Sequence, residues 1–570
     1  IMLLVGGSVS LIQMNREAFP KVEFDWIFIN TLYPGASGED IEKHITIPIE
    51  DQLREVDGIK EIYSSSAESR SDIVLQLDPD LSDKDKTIND IKDAVDSVKD
   101  LPADSEDPVV FELKSSLTPI LEISINYKKS IRNDRDERYL RKHAKILEDT
   151  LRELDGVARI SKTGYRDREM VVEVLPDKLD EYYIGLNDII GAIKNNNISF
   201  PGGLVKLDKE EIMIRTIGEV NTVEDIRNIL VRANEMGNWV KIKDVARVKD
   251  TFEEDDIINK TKGAQSITYT VLKKESADII TVVERVRAEI KKFEKQFGKE
   301  FEISESNDMS YYVQRRLNVL INNAIVGLIL VFFSLFITLG WRISIVTVIG
   351  IPLAFGMCFI WMNLYGLSIN LLTMFGLIIV LGMLVDDAIV VAENVYRHLE
   401  EGASVKDAVI NGTTEVIVPV AGTILTTIAV FAPLMMMKGI MGKFMWSLPA
   451  VVSVALIASW IESMFILPSH IRDVEDIKKS DFKQKDIEKG LHHRIRDKYM
   501  MTLGFVLRNK YKFAGMITIF FLGSFIFASQ QIKFILFPKG QIERFVVLAE
   551  APTGTSLEKM STKIHDIEKI

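Results

Sequence analysis

Hydrophobic and polar positions follow two different rules along this chain. From about Val22 to Ser310, short apolar runs alternate with Asp, Glu, Lys and Arg, the patterning of a water-soluble region of mixed strands and helices. From Leu317 onward, long uncharged stretches dominate. Residues 343–362, 416–437 and 513–532 each run about twenty or more residues without a charge, the length that a hydrocarbon core of roughly 30 Å demands of a helix. Residues 318–339, 369–396 and 444–468 join them, interrupted only by Asn322, Asn323, Asp386, Asp387, Glu393 and Glu462. Six complete spans are predicted. The opening "IMLLVGGSVSLIQM" is too short to cross a bilayer alone and is read as the end of a further span, not as a signal peptide.

Orientation follows from the short loops. The segment between the fifth and sixth complete spans is crowded with Lys and Arg, whereas "NLYGLS" has none, so the crowded side is expected to be cytoplasmic and the large soluble region external. The stretch 490–512 has a basic, amphipathic pattern suited to the inner membrane surface. Its paired His492 and His493 read as part of an ordinary solvated helix rather than a metal site.

Two internal repeats organise the rest. "LREVDGIKEIYSSSAESRSDIVLQL" from Leu53 is echoed without a gap by "LRELDGVARISKTGYRDREMVVEVL" from Leu151. Each copy reads as strand, helix, strand pair, helix, strand, the βαββαβ order of a split βαβ unit. In the first copy the helices are expected at 39–55 and 85–99, and the second copy is interrupted by about eighty residues after Leu175 before a helix at 278–297. The larger repeat pairs "FPKVEFDWIFINTLYPGAS" with "FPKGQIERFVVLAEAPTGTS", prolines fourteen residues apart in both (Pro20 and Pro34, Pro538 and Pro552). The 518-residue offset leads us to expect an N-terminal half of a protein roughly twice that length, two similar halves being a common transporter plan.

Composition narrows the chemistry. The 570 residues are 47% apolar with net charge −12 and a single cysteine, Cys358, inside a span, so no intrachain disulfide forms. No phosphate loop, zinc-ligand spacing or nucleophile elbow is found, and an enzyme is not expected. The distinctive chemistry is in "LGMLVDDAIVVAENV". If Arg397 marks the inner interface, Asp387 lies ten residues up the helix, about 15 Å, near the midplane. Each charged aspartate there costs about 2.5 to 3.5 kcal/mol, so the pair must be protonated, paired with a cation, or both. Adjacent side chains point about 100° apart, so Asp386 and Asp387 face different neighbours and titrate in coupled steps, as proton carriers would. No intramembrane Lys or Arg partner is evident, and one is expected in the other half.

These features together, "LLTMFGLIIVLGMLVDDAIVVAENVYRHLEEG", the "YPGAS" stretch, the one-plus-five order of spans and the half-repeat, resemble the resistance-nodulation-division (RND) exporters, in their hydrophobe and amphiphile efflux branch. The resemblance covers essentially the whole chain. It implies a homotrimeric antiporter of a Gram-negative inner membrane, multi-pass with a large periplasmic region. It would be coupled to protons and no other cofactor, working with a periplasmic adaptor (membrane fusion) protein and an outer-membrane channel on small hydrophobic or amphipathic substrates. Membrane lipid surrounds it and nucleic acid is not a partner. The fold implied is a polytopic α-helical membrane domain plus an α+β porter domain of duplicated ferredoxin-like βαββαβ modules. The segments would be 1–14, the end of the first span; 23–117, porter module 1; 118–165 with 254–308, porter module 2; and 166–253, a docking insertion. Then follow 317–468, five spans; 469–512, a cytoplasmic amphipathic segment; 513–532, the seventh span; and 533–570, the start of the second periplasmic repeat.

The family's proton relay falls on Asp386 and Asp387. Glu462 in "ASWIESMFILPSH" is not general in the family, and either assists proton access or snorkels toward the inner interface. Drug exporters of the family place phenylalanines where this chain has Pro119 and Thr163, which puts their aromatic pocket in doubt here, and substrate-binding residues are left unassigned. Two other functions compete. A heavy-metal cation exporter of the same superfamily would use soft ligands such as Met435, Met436, Met437, Met441 and Met445, although methionine more often fills apolar space. A protein-export accessory membrane protein would share the topology.

Overall fold

A computed structural model describes the chain outside positions 80, 82, 100, 103, 115–118, 130, 132, 199, 208–209, 217, 219, 234–238, 255–256, 340, 474–490, 532–545, 553, 566 and 569–570. The apolar helix α1 (Met2–Gln13) leads into a four-stranded antiparallel sheet of β1 (Glu23–Leu32), β2 (Ile59–Ala67), β3 (Arg70–Leu77) and β4 (Val109–Lys114), ordered β2-β3-β1-β4. Alternation decides which face is covered: Ile27 and Ile29 of β1, with Ile73, Leu75 and Leu77 of β3, are buried on one side. Against them lies the helical segment between β1 and β2, whose Ile41, Ile45, Ile49 and Leu53 recur every four residues and are fully buried.

That segment is not the single regular helix expected at 39–55. It is α-helical over Gly38–Ile41, π-helical over Glu42–Thr46 and α-helical again over Ile47–Leu53. Pro48 has no N–H for the His44 carbonyl and its ring needs room there, which the widened turn before it supplies. The second helix, α2 (Lys84–Asp96), starts at Asp83, whose side chain accepts from the Lys86 N–H.

The next module repeats this plan around an insertion. β5 (Pro119–Tyr127), α3 (Asp134–Arg152) and β6 (Val157–Thr163) come first. The insertion then holds β7 (Arg168–Val174), the hairpin β8 (Phe200–Leu207) with β9 (Glu210–Thr216), the ribbon β10 (Leu230–Ala233) with β11 (Trp239–Lys241), and β12 (Ala246–Phe252). β12 pairs with β7 along its whole length, so the chain leaves and returns side by side. After β13 (Lys260–Thr261) come β14 (Ala264–Lys273), α4 (Ile279–Phe297) and β15 (Phe301–Ser306). β6, β14, β5 and β15 lie in that order, position for position the order of the first sheet. Leu140, Ala144, Leu147 and Leu151 of α3 and Val283, Val286 and Ile290 of α4 bury their faces on it. The Asp-Gly turns of the repeat also correspond: Gly58 (φ 92°) and Gly156 (φ 96°) are both left-handed, and a Cβ would strike Leu81 in one case and Val282 in the other.

At the root of the insertion, Asp250 receives Arg138 at 3.0 Å and Arg168 at 2.8 Å. The Arg168 hydrogen bond, with the charge of Arg138, outweighs burial and holds the Asp250 carboxyl below the usual carboxylate range.

The apolar half forms α5 (Met309–Leu339), α6 (Trp341–Leu364), α7 (Leu371–Leu381), α8 (Leu384–Glu400), α9 (Val405–Met435), α10 (Gly439–Met445), α11 (Ser447–Ile461), a π-helical turn at Glu462–Ile466, and α12 (Leu467–Asp473). α13 (Leu491–Arg508) and α14 (Lys510–Gln531) follow the undescribed positions 474–490, and a short helix at Leu557–Ile564 lies beyond 532–545. The side chains of His492 and His493, and half of the expected second "FPKG" repeat, thus lie outside the described residues. Among the described residues, six stretches of helix are long and apolar enough to cross a membrane. α11 sits at the centre, with Val451, Val452 and Ala455 fully buried, whereas α14 buries no residue in this chain.

Some boundaries differ from the uncharged runs. α9 begins at Val405, not 416, because Ser404 caps it by accepting from the Asp407 N–H. It ends at Met435, so Met436 and Met437 lie beyond it. This helix extends past its charge-free run because a cap allows it, and charge alone does not mark its start.

Close approach fixes α1 on α6. A Cβ at Gly7 would lie 2.4 Å from the Gly356 Cα, so the two backbones meet where neither has a side chain. Gly7→Leu is expected to undock α1 and lower the melting temperature of the detergent-solubilised protein by several degrees; an unchanged melting curve would contradict this packing.

Just past α1, residues 15–18 are held from two sides. Glu17 N–H donates to the Ile369 carbonyl and Ile369 N–H to the Asn15 carbonyl, both at 2.9 Å, tying the strap to the residues that begin α7. Arg16 makes a two-pronged ion pair with Asp278 at the start of α4 (2.7 and 2.8 Å), and Glu17 meets Lys273 at the end of β14 (3.1 Å). On the first module, Asp25 of β1 accepts from Lys443 of α10 at 2.8 Å, and the Phe444 ring sits beside Phe19 and Phe24.

Candidate functional site

Asp386 and Asp387 occupy the first turn of α8. The span expected as one unbroken helix is interrupted just before them: α7 ends at Leu381, and Gly382 and Met383 keep right-handed dihedrals while the Met383 N–H bonds to the Val380 carbonyl, three residues back. Glycine and the tightened turn interrupt the regular ladder without changing the direction of the chain. The first turn of a helix favours negative charge through its dipole, and both carboxyl groups lie in that turn. The other end of the span is set by Asn370, whose side chain accepts from the N–H groups of Leu372 and Thr373 at 3.0 Å.

The two aspartates face different surroundings. Asp387 is 7% exposed and turned toward α11, and its Oδ2 has no hydrogen-bond partner. The Ser459 hydroxyl flanks it while donating to the Leu384 carbonyl at 2.9 Å. Asp386 is exposed in this chain, off the bundle. Among the described residues, no Lys, Arg or His side chain pairs with either.

Glu462 opens the π-helical turn and is 2% exposed. It is packed against Gly350 of α6, so it does not snorkel to the inner interface; a snorkelling carboxylate would be solvated. Pro119 begins β5 opposite Leu272, and Thr163 ends β6 opposite Thr268; both are exposed on one sheet. Met435, Met436, Met437 and Met441 are exposed as well.

Three participants were not singled out in the sequence: Ser459, Gly350 and Glu415. Glu415 of α9 receives Arg397 at 2.6 Å and Asn394 at 3.1 Å and lies 3.2 Å from His398, tying the C-terminal end of α8 to α9. Small and polar residues at helical spacing were the only available signal, and apolar spans contain many of them.

Six membrane-length helices among the described residues, with carboxyl groups inside the bundle, define a multi-pass membrane protein. Comparison of the sequence specifies which kind. The chain belongs to the AcrB/AcrD/AcrF family of RND transporters, whose profile it matches over residues 1–570. It is 25% identical over 616 aligned residues to the swarming motility protein SwrC of Bacillus subtilis, covering 100% of this chain and 57% of that protein. It is 27% identical to the multidrug resistance protein MdtC of Escherichia coli O157:H7, covering 97% of this chain and 54% of MdtC. Against MdtC of Escherichia coli O139:H28 the identity is 28%, with 79% and 44% covered. The chain spans about half the length of the curated relatives it matches.

Proposed function

We propose that this chain is part of a proton-driven exporter of hydrophobic or amphipathic compounds, in which Asp386 and Asp387 bind the coupling proton. The observation that carries the reading is Asp387, a buried carboxylate without a cation among the described residues, near the middle of a span. An ionised, unpaired carboxylate in such a place is costly, so a proton that binds and leaves there changes the energy of the bundle enough to drive it between arrangements.

The two sheets of identical strand order, each with two helices on one face, support reading the soluble half as duplicated ferredoxin-like porter modules, with 166–253 as a docking insertion. The strap at residues 15–18, bonded both to the beginning of the Asp-Asp span and to the second module, is where movement in the membrane would reach those modules. Family membership supports a homotrimer with a periplasmic adaptor and an outer-membrane channel, in an inner membrane with the modules on the periplasmic side. The drug-export name of the MdtC relatives supports the substrate class.

The test uses the full-length protein in proteoliposomes loaded with a lipophilic cationic dye. An imposed pH gradient is expected to drive dye movement, and a protonophore to stop it. Movement that is equally fast without a gradient would overturn the reading.

A further inference from the structure

Glu462 is a buried acid for which the coupling scheme above has no role. It lies on the central span, and its Oε1 has no hydrogen-bond partner. Two features make room for it. The helix widens into a π turn at this residue, and the facing position on α6 is Gly350, where a Cβ would lie 2.4 Å from Oε1 and 2.7 Å from Oε2. Any other residue at 350 would have to displace the carboxyl group. A widened turn and a missing side chain at one contact form a built cradle for an acid rather than a packing accident.

The cradle lies at the depth of Asp387. Glu462 is eleven residues from Asp473 at the end of α12, and Asp387 is twelve residues from Leu399 near the end of α8, so each lies about 16–18 Å from the same side. Ser459, one turn before Glu462 on the same helix, is the residue that flanks Asp387.

The elements packed on the π turn are α6, α8, α11 and α12. Their charged or titratable groups are Arg342 and Cys358 on α6; Asp386, Asp387, Glu393, Tyr396, Arg397, His398 and Glu400 on α8; and His470, Arg472 and Asp473 on α12, with none on α11. Arg397 and His398 are engaged by Glu415 at the C-terminal end of α8, and Arg472 lies 3.7 Å from Asp473. Among the described residues, none of these cations pairs with Glu462.

We infer that Glu462 is a second proton-binding carboxyl of the membrane bundle, taking up and releasing a proton in its cradle between the central span and α6. The inference rests on the proton-coupled reading above.

The experiment treats full-length protein in proteoliposomes with dicyclohexylcarbodiimide, which modifies protonated buried carboxyl groups, and maps the adducts by mass spectrometry beside pH-driven dye efflux. Adducts are expected on both Asp387 and Glu462. Glu462→Gln is expected to slow pH-driven efflux at least severalfold and to lower the proton-to-dye ratio, with Glu462→Asp restoring part of both. Gly350→Ala, which crowds the carboxyl without removing it, serves if Glu462→Gln does not assemble; it is expected to shift the pH profile of efflux. An adduct on Asp387 alone, or normal efflux with an unchanged proton-to-dye ratio in Glu462→Gln, would overturn the inference and leave the role of Asp387 standing. Normal efflux in Asp387→Asn would instead remove the reading on which it rests.

Discussion

Asp387→Asn in the full-length protein is expected to reduce pH-driven export to the level of empty vesicles while membrane insertion and assembly persist. Asparagine keeps the size of the side chain and adds no charge, so the packing against α11 survives the change. What it cannot do is take up and release a proton. The span tolerates the substitution because a neutral amide at mid-bilayer costs less than an ionised carboxylate. Loss of transport together with a normal elution profile and melting curve therefore separates the chemistry from the fold. The result that sinks the assignment is dye export at the normal rate.

Glu17→Ala is expected to be the most destabilising single change outside the membrane core, by about 3–5 kcal/mol. Glu17 and Lys273 are 4% and 5% exposed at their side chains and meet at 3.1 Å, joining the strap after α1 to the end of β14. Removing the acid strands a buried ammonium whose other acceptor is the Lys274 carbonyl at 3.3 Å. Replacing both partners by Met removes both desolvation costs, so the double variant should recover most of the lost stability. Thermal unfolding of the solubilised protein measures both. A single variant as stable as the parent would show that the pair contributes nothing. The strap also receives the Arg16–Asp278 pair and the backbone bonds to Ile369, so export should fall with stability in the single variant and return in the double one.

Much of this architecture was legible one segment at a time. The apolar runs marked the spans because helical rise and bilayer thickness together impose a minimum uncharged length. The echo of "LREVDG" in "LRELDG" anticipated two sheets of one topology, since the same alternation and the same left-handed glycine turn recur at matching positions. Where the reading missed, a local cause of another kind intervened. Pro48 put a π turn into a helix expected to be regular, Gly382 and Met383 divided the Asp-Asp span, and the Ser404 cap began α9 eleven residues before its charge-free run.

What the sequence determined by itself is the number of membrane-length stretches among the described residues, the recurring strand-and-glycine-turn pattern of the two sheets and the presence of acids within apolar spans, because each is a property of neighbouring residues in a stated solvent. Only the tertiary structure decided which acid is enclosed. Asp387 turns inward and Asp386 outward although they are adjacent, Glu462 finds Gly350 more than a hundred residues earlier in the chain, and Glu17 finds Lys273 from far away in it. Such encounters depend on how helices and sheets pack, and packing is set by the shapes of surfaces assembled from distant segments.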